Sequence, residues 1–295
     1  MRSKALALSF LLLAAAGAAT AQQTINFPNF CNTSAFSLNG STATLNPNAQ
    51  CVLRLNQDFG VGSAFLTNTF SLAADASFST FFSFQILNPV GIGDADGPGA
   101  DGLVFAVQTV SNTAGGGGGG IGYAGITNSV GVEFDTYNNG EPGGGNHVGI
   151  DLNGSVTSVT SLAIPGRFND GAVWFAWVDY NGVTDLLEVR VSNTPARPAA
   201  ATIFTTVDLP TVLGTTNAFV GFTSGTGAGG GTHEIVSWNL VGAFAPVGQT
   251  PTPGPTVTPT VPAPAAVVPT LSFPMMALLA LALGGIALAF LTKRV

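Results

Sequence analysis

Charge is scarce in this 295-residue chain: charged side chains make up 8% of it, against 46% hydrophobic. The scarcity is also one-sided. Between residues 22 and 245 there is no lysine, and Arg54, Arg167, Arg190 and Arg197 face fifteen acidic residues, a formal charge of −11. A surface of that sign repels phosphate backbones and anionic headgroups, which argues against nucleic acid as a partner. Cysteine occurs twice, at Cys31 and Cys51, and neither has the spacing of a zinc site. No long 3.6-period segment with helix caps precedes Pro246, which argues against a helical bundle. Six consecutive glycines, Gly115 to Gly120, have no Gly-Lys-Ser/Thr after them, so the run is no P-loop and reads by composition as a flexible loop.

What is present is strand-like. Segments such as GSAFLTNTFSL, ASFSTFFSFQIL and GADGLVFAVQTV are rich in Phe, Val, Leu and Thr and are separated by Gly, Pro, Asn or Asp. The alternation from Ser77 to Phe84 predicts a core face and an outer face, with a local irregularity at Phe81-Phe82. Further strands are expected at Val173–Tyr180 and Leu186–Val191, joined by a hairpin turn at Tyr180-Asn181-Gly182. Trp174 and Trp177 lie inside an apolar strand and read as core or edge residues. Turn signals recur about every ten residues, so the expected fold is all-β, one large two-sheet sandwich over residues 22–245.

Metal-binding groups concentrate between Val130 and Asn153, VGVEFDTYNNGEPGGGNHVGIDLN. At the period of a strand, Glu133, Asp135 and Tyr137 project from one face while Val132, Phe134 and Thr136 project from the other. A turn-rich loop then supplies Asn138, Asn139 and Glu141 before His147 opens a second apolar strand. Carboxylates, an amide oxygen and main-chain carbonyls suit Ca2+, and carboxylates with one histidine and water suit Mn2+. Glu133, Asp135, Tyr137, Asn139, Glu141 and His147 are therefore the candidate ligands, and the competing reading is a hairpin whose acids merely face water.

This stretch resembles, nearly letter for letter, the metal loop of the legume-type (L-type) lectins: VEFDT, an aromatic, any residue, Asn, then Asp-Pro, then HVGID. The departure is Glu141-Pro142 where the family has Asp-Pro, in a loop whose spacing also differs from the plant examples. Ala100-Asp101-Gly102, Ala218–Gly225 and His233–Leu240 resemble further family segments, so the resemblance runs from about Ile25 to Leu240. It implies a concanavalin-like, jelly-roll β-sandwich that binds glycans, with structural metal ions holding the sugar site. The implied carbohydrate-binding residues are Asp101, after an unusual cis peptide, accepting from sugar hydroxyls; Asn139, donating its amide; Gly120 or its neighbour Gly119, donating a backbone N–H; and Tyr137, packing its ring on the pyranose. The loop Gly227–Thr232, which the family uses to choose among sugars, is almost all glycine and alanine, so weak side-chain selectivity is expected.

The termini read as targeting segments. Arg2 and Lys4 precede an apolar run and the small-x-small pattern Ala19-Thr20-Ala21, which predicts a secretory signal peptide over residues 1–21. Export places Cys31 and Cys51 where disulfides persist, and a bridge between them would stabilise the fold by roughly 3 kcal/mol in the chain-entropy model. Residues 246–267 form a Pro/Thr-rich linker, expected to be an extended spacer. Residues 268–295 hold Pro269-Thr270-Leu271-Ser272, an apolar run from Phe273 to Leu291 and Lys293-Arg294, the pattern of one transmembrane helix with a cytoplasmic basic end. This tail resembles the IPTL-type sorting signals of Gram-negative bacteria, which implies a sorting protease of the exosortase type; a permanent membrane anchor is the simpler alternative.

The expectation is thus a non-enzymatic glycan-binding protein, exported to a bacterial surface, anchored in the membrane or released after removal of its tail, with homo-oligomers as an option. A structural adhesin or matrix protein with a degenerate sugar site is the alternative. A glycoside hydrolase of related fold is the third reading. Glu133-Phe134-Asp135 supplies the first half of a Glu-x-Asp-x-(x)-Glu strand, but Tyr137 and Asn138 stand where the second glutamate of a retaining mechanism belongs, within about 5.5 Å of the first.

Overall fold

A computed structural model of the chain describes residues 23–40, 44–46, 51–72, 75–113 and 115–248. Two eight-stranded antiparallel sheets carry the fold. The back sheet runs, edge to edge, through Ile203–Thr206, Leu186–Ser192, Val173–Asn181, Phe78–Gly91, Gly229–Val241, Val52–Asn56 and Thr44–Asn46, and Thr24–Phe27 also pairs with Gly229–Val241. The front sheet runs through Thr160–Ala163, His147–Leu152, Ser129–Asp135, Gly102–Gln108, Asn217–Gly225, Val61–Leu66 and Phe36–Asn39, with Phe70–Ser71 added to Asn217–Gly225. Central neighbours such as Gly102–Gln108 and Asn217–Gly225 are far apart in sequence, so the chain crosses repeatedly between sheets.

The two-residue period decides which side chains meet between them. Phe78, Phe82 and Phe84 point inward with Leu103, Phe105, Val132, Phe134, Phe222 and Trp238. Phe82 packs edge-on against Phe134 and Phe222, with ring centroids 5.6 and 5.1 Å apart. Burying one such side chain contributes about 1.5–3 kcal/mol. Trp238 keeps its indole satisfied by donating to Thr80 Oγ1 at 2.9 Å. The expected irregularity at Phe81-Phe82 resolves simply: Phe82 faces the core, while Phe81 faces outward beside Phe175 and Trp177. Trp174 lies in the core and Trp177 on the outer face of the back sheet, both buried.

Cys31 and Cys51 are joined by a disulfide. The segment GSAFLTNTFSL is two strands rather than one, Val61–Leu66 and Phe70–Ser71, split at Thr67-Asn68. The glycine run is more ordered than its composition predicts. Gly118–Gly120 make a 3-10 turn, and Ile121, Tyr123 and Ile126 just after it bury against Phe65, Val104 and Ala106 on the outer face of the front sheet. That small second core fixes the glycine loop beside the metal-loop strand. A five-residue helix, Leu209–Leu213, is capped by Asp208, whose carboxylate accepts from the Thr211 N–H at 3.0 Å.

Among the described residues no helix is long and apolar enough to cross a membrane. The expected signal peptide over 1–21, the linker beyond residue 248 and the apolar tail over 268–295 lie outside the described residues.

Candidate functional site

Strand pairing builds the acidic cluster. Asp135 stands opposite His147 and Glu133 opposite Gly149, so three ligand-type side chains converge on the outer face of the front sheet. Donor atoms of Glu133, Asp135 and His147 lie within 4.8 Å of one another, and all three residues are buried. His147 Nε2 is 3.0 Å from Glu133 Oε1, and its Nδ1 lies 2.8 Å from the Gly144 carbonyl, which orients the ring. Burial opposes the charged imidazole, but the hydrogen bond and charge of Glu133 outweigh it and raise the His147 pKa. Burial drives the Asp135 carboxyl well above the usual range, and the charges of Glu133, Glu141 and Asp101 add to that, against the Tyr137 N–H, which donates to Asp135 Oδ1 at 2.7 Å.

Two residues that sequence reasoning passed over complete the cluster. Ser158 Oγ is 2.6 Å from Glu133 Oε1 and 2.8 Å from Asp151 Oδ1. One hydroxyl carries one proton, so two ionised carboxylates cannot both accept from it. Burial, first, and then the charge of Glu133 push Asp151 up to about 9, and the Ser158 hydroxyl, which reaches both carboxylates, opposes that rise. Asp151 Oδ2 is buried without a hydrogen-bond partner. Asp151 was within reach of the sequence, because His147, Gly149 and Asp151 alternate onto one face of their strand. Ser158 lies in an irregular segment with no periodicity to expose it.

The chemistry of this donor set fits a divalent cation. The buried Asp135 carboxyl, with its raised pKa, stands beside the Glu133 carboxylate and one imidazole, and a cation would relieve it and hold it deprotonated. Glu141 stands apart from the 4.8 Å group; its Oε1 accepts from the Asn139 N–H at 3.1 Å. Tyr137 and Asn139 adjoin the group through the loop, with Asn139 Nδ2 3.5 Å from the Tyr137 carbonyl.

Next to the cluster sits the second set of predicted residues. Ala100-Asp101 is a cis peptide, as the family resemblance implies. The Asp101 carbonyl accepts from the Thr136 N–H at 2.9 Å, and the Asp101 N–H donates to the Gly225 carbonyl at 3.3 Å, so Asp101 is stitched between the end of the Ser129–Asp135 strand and the end of the Asn217–Gly225 strand; the expected loop Gly227–Thr232 is only a short turn over Thr226–Ala228, because Gly229 already opens the next strand. Asn139 Nδ2 reaches Asp101 Oδ1 at 3.5 Å. Burial pushes Asp101 up to about 6, the Asn139 amide opposes this, Glu141's charge adds to it, and the Gly227 backbone opposes it weakly. The Gly227 N–H is taken by the Gly229 carbonyl at 3.1 Å, and Asp101 Oδ2 is left buried with no hydrogen-bond partner. A cleft of about 240 Å³ is lined by Asn139 of this pair, with Gly119, Asp135, Gly140, Glu141, Val156 and Thr157. A Cβ at Gly119 would stand 2.8 Å from Asn139 Nδ2, so close approach requires glycine there. Gly120 lies one step away, its N–H directed at the Gly117 carbonyl at 3.3 Å. Asp94, on the small hairpin Gly93–Asp94/Gly97–Pro98, was also missed: its Oδ2 accepts from the Asn138 N–H at 2.8 Å and steadies the loop.

A family model, the legume lectin domain, matches residues 22–252. The chain belongs to that family. Among its relatives, a galactose-binding lectin of Arachis hypogaea is 38% identical over 173 residues, which cover 56% of this chain and 60% of that protein. The L-type lectin-domain containing receptor kinase VIII.1 of Arabidopsis thaliana is 33% identical over 178 residues, 57% of this chain but only 24% of the kinase. The chain therefore spans about a quarter of the length of that kinase. Among solved structures, the winged bean acidic lectin complexed with methyl-alpha-D-galactose superposes with a TM-score of 0.62 at 26% identity, covering 75% of this chain and 98% of that one. Family membership accounts for the two facing sheets.

Proposed function

We propose that this family member binds carbohydrate in the cleft beside Asp101 and Asn139, and that divalent cations, Ca2+ and Mn2+, hold that site in place. The observation that carries the reading is the state of Asp101: a buried carboxylate with one oxygen lacking a hydrogen-bond partner, fixed by backbone bonds on both sides and reached by the amide of Asn139, which lines an open cleft. An orphaned buried acceptor is costly, and sugar hydroxyls are donors that would satisfy it. Asn139 would supply an amide donor, the Gly119-Gly120 backbone a close N–H, and Tyr137 an aromatic face. Glu133, Asp135 and His147 would ligate the cations directly, with Ser158 and Asp151 behind them. A cation there would neutralise the acidic cluster and fix the loop that carries Asn139. A galactose-binding lectin of Arachis hypogaea among the relatives, and the winged bean acidic lectin complexed with methyl-alpha-D-galactose, support sugar as the ligand class.

Export, display on a bacterial surface through the linker and apolar tail, and trimming of that tail by an exosortase-type protease extend the same reading. The test of the function is a glycan array probed with the purified protein in Ca2+ and Mn2+ and again with chelator. Metal-dependent binding to a set of glycans supports the reading. A blank array under both conditions would turn the protein into a structural adhesin that keeps the fold without the activity.

A further inference from the structure

From the structure we infer that Asn139-Gly140 is a site of spontaneous intramolecular deamidation, which turns the Asn139 amide into a carboxylate, silences the sugar site and is slowed by a cation in the adjoining cluster. The modification stands on the geometry of the loop; its effect on binding rests on the sugar-binding reading given above. An asparagine followed by glycine is open to attack on its side-chain carbonyl by the next backbone nitrogen, because glycine sets no Cβ beside that nitrogen and leaves its dihedrals free. Asn-Gly occurs four times in the described residues, at Asn39, Asn139, Asn153 and Asn181, and their surroundings separate them.

Three of these steps are held by the framework. Asn39 ends the Phe36–Asn39 strand, and its amide donates to the Asn112 carbonyl at 2.5 Å and to Ser63 Oγ at 3.2 Å. Around Asn153 the backbone is bonded on both sides. The Asn153 N–H donates to the Ser129 carbonyl at 2.8 Å, the Gly154 N–H to the buried Tyr123 Oη at 3.3 Å, and the Gly125 N–H to the Gly154 carbonyl at 2.9 Å. Asn181 ends the Val173–Asn181 strand, its Oδ1 accepts from the Val183 N–H at 3.0 Å, and the Gly182 N–H donates to Ser77 Oγ at 3.0 Å. Closing a ring at any of them breaks a bond to a distant part of the chain.

Asn139 is held differently. It and Gly140 are exposed, and neither makes a backbone–backbone hydrogen bond among the described residues. The carboxamide has only long contacts, 3.5 Å from Nδ2 to Asp101 Oδ1 and to the Tyr137 carbonyl. Gly140 has a φ of +96° with open space where a Cβ would stand, so the turn is free to rotate. The Asn139 N–H donates to Glu141 Oε1 at 3.1 Å and the Gly140 N–H to Asn138 Oδ1 at 2.8 Å, both side chains of the same loop, which move with it. The second of these bonds ties up the attacking nitrogen.

The chemistry needs only water. The Gly140 nitrogen bonds to Asn139 Cγ, the Cγ–Nδ2 bond breaks, and Nδ2 leaves as ammonia carrying the proton from the Gly140 nitrogen. Water then opens the cyclic imide, giving aspartate by attack at Cγ or isoaspartate by attack at the main-chain carbonyl. Either product replaces a donor amide with an acceptor carboxylate beside Asp101, so the sugar loses a donor and Asp101 gains a like charge as neighbour. A cation on Glu133, Asp135 and His147 would fix the loop that carries Asn139 and keep its side chain from the geometry of ring closure.

The test incubates the purified protein at mildly alkaline pH, with Ca2+ and Mn2+ and in parallel with chelator, and follows the Asn-Gly peptides by mass spectrometry and by enzymatic methylation of isoaspartate. Asn139 should convert before Asn39, Asn153 and Asn181, and severalfold faster in chelator. Asn138→Ala, which frees the Gly140 nitrogen, should speed the conversion, and Gly140→Ala should slow it. First conversion at another of these steps overturns the site, and equal rates with and without metal overturn the guarding by the cation. For the effect on binding, methyl glycosides of galactose, mannose, fucose and N-acetylglucosamine are titrated by calorimetry into metal-loaded wild type and Asn139→Asp, the variant that carries the aspartate product. The variant should lose the binding that wild type shows. Equal binding by the two overturns the silencing. If wild type binds none of the glycosides, the sugar-binding reading and the silencing fall together, while the mass change at Asn139 still stands.

Discussion

At Gly149 the absence of a side chain lets Ser158 cross the strand to Glu133; a Cβ there would collide with both Ser158 Oγ and Glu133 Oε1. Gly149→Ala should therefore leave the sandwich folded but spoil the cation site. In wild type, a cation at 100 times its dissociation constant should add about 2.7 kcal/mol of stability, and differential scanning calorimetry with and without chelator should find most of that gain missing in the variant. Asp101→Ala makes the complementary separation. Asp101 lies outside the ligand group, so the variant should keep its metal-dependent rise in melting temperature while losing sugar binding, since removing a charge-assisted acceptor costs about 1.5–3 kcal/mol. These residues differ in how openly the sequence displays them. Glu133, Asp135 and His147 are visible because strand period and spacing put them on one face. The partnership of Ser158 with Glu133 depends on a contact between distant segments, which no local pattern encodes.

The strand Gly229–Val241 shows what register does at the scale of an element. It pairs with Phe78–Gly91 on one side and Val52–Asn56 on the other, with register shifts along its length, and it carries the wholly buried His233. Burial pushes the His233 imidazole down to about 3, with the Gly231 backbone offsetting only part of that. The sign follows from linkage. The folded pKa lies below the unfolded value of about 6.5, so the neutral ring's contribution is fully present above pH 6.5 and is lost as pH falls toward 3. At pH 5 that loss amounts to about 2 kcal/mol. Chemical denaturation at pH 7 and pH 5 should show a steeper decline for wild type than for His233→Leu, and parallel slopes would refute the assignment. The strands themselves were legible from Phe/Val/Thr alternation and turn residues. The 3-10 turn Gly118–Gly120 was not, because the apolar residues that anchor it, Ile121, Tyr123 and Ile126, follow the glycines and find their partners on strands elsewhere in the chain.

For the molecule as a whole, the disulfide and the cation act at different places on one cooperative fold. Cys31–Cys51 ties the N-terminal segment to the start of the Val52–Asn56 strand, and the Phe30 N–H donates to the Cys51 carbonyl beside it. A Cys31→Ser/Cys51→Ser double variant should lose roughly 3 kcal/mol while keeping its metal response, because the bridge acts mainly on the unfolded chain; a lost metal response would show that the two features are coupled. The central claim is that a cation across Glu133, Asp135 and His147 organises the Asp101–Asn139 site. The most direct measurement is calorimetric titration of the best array ligand into one protein sample taken through three states: loaded with Ca2+ and Mn2+, stripped with chelator, and reloaded. The account predicts that sugar binding disappears on stripping and returns on reloading. Equal affinity in all three states would contradict it.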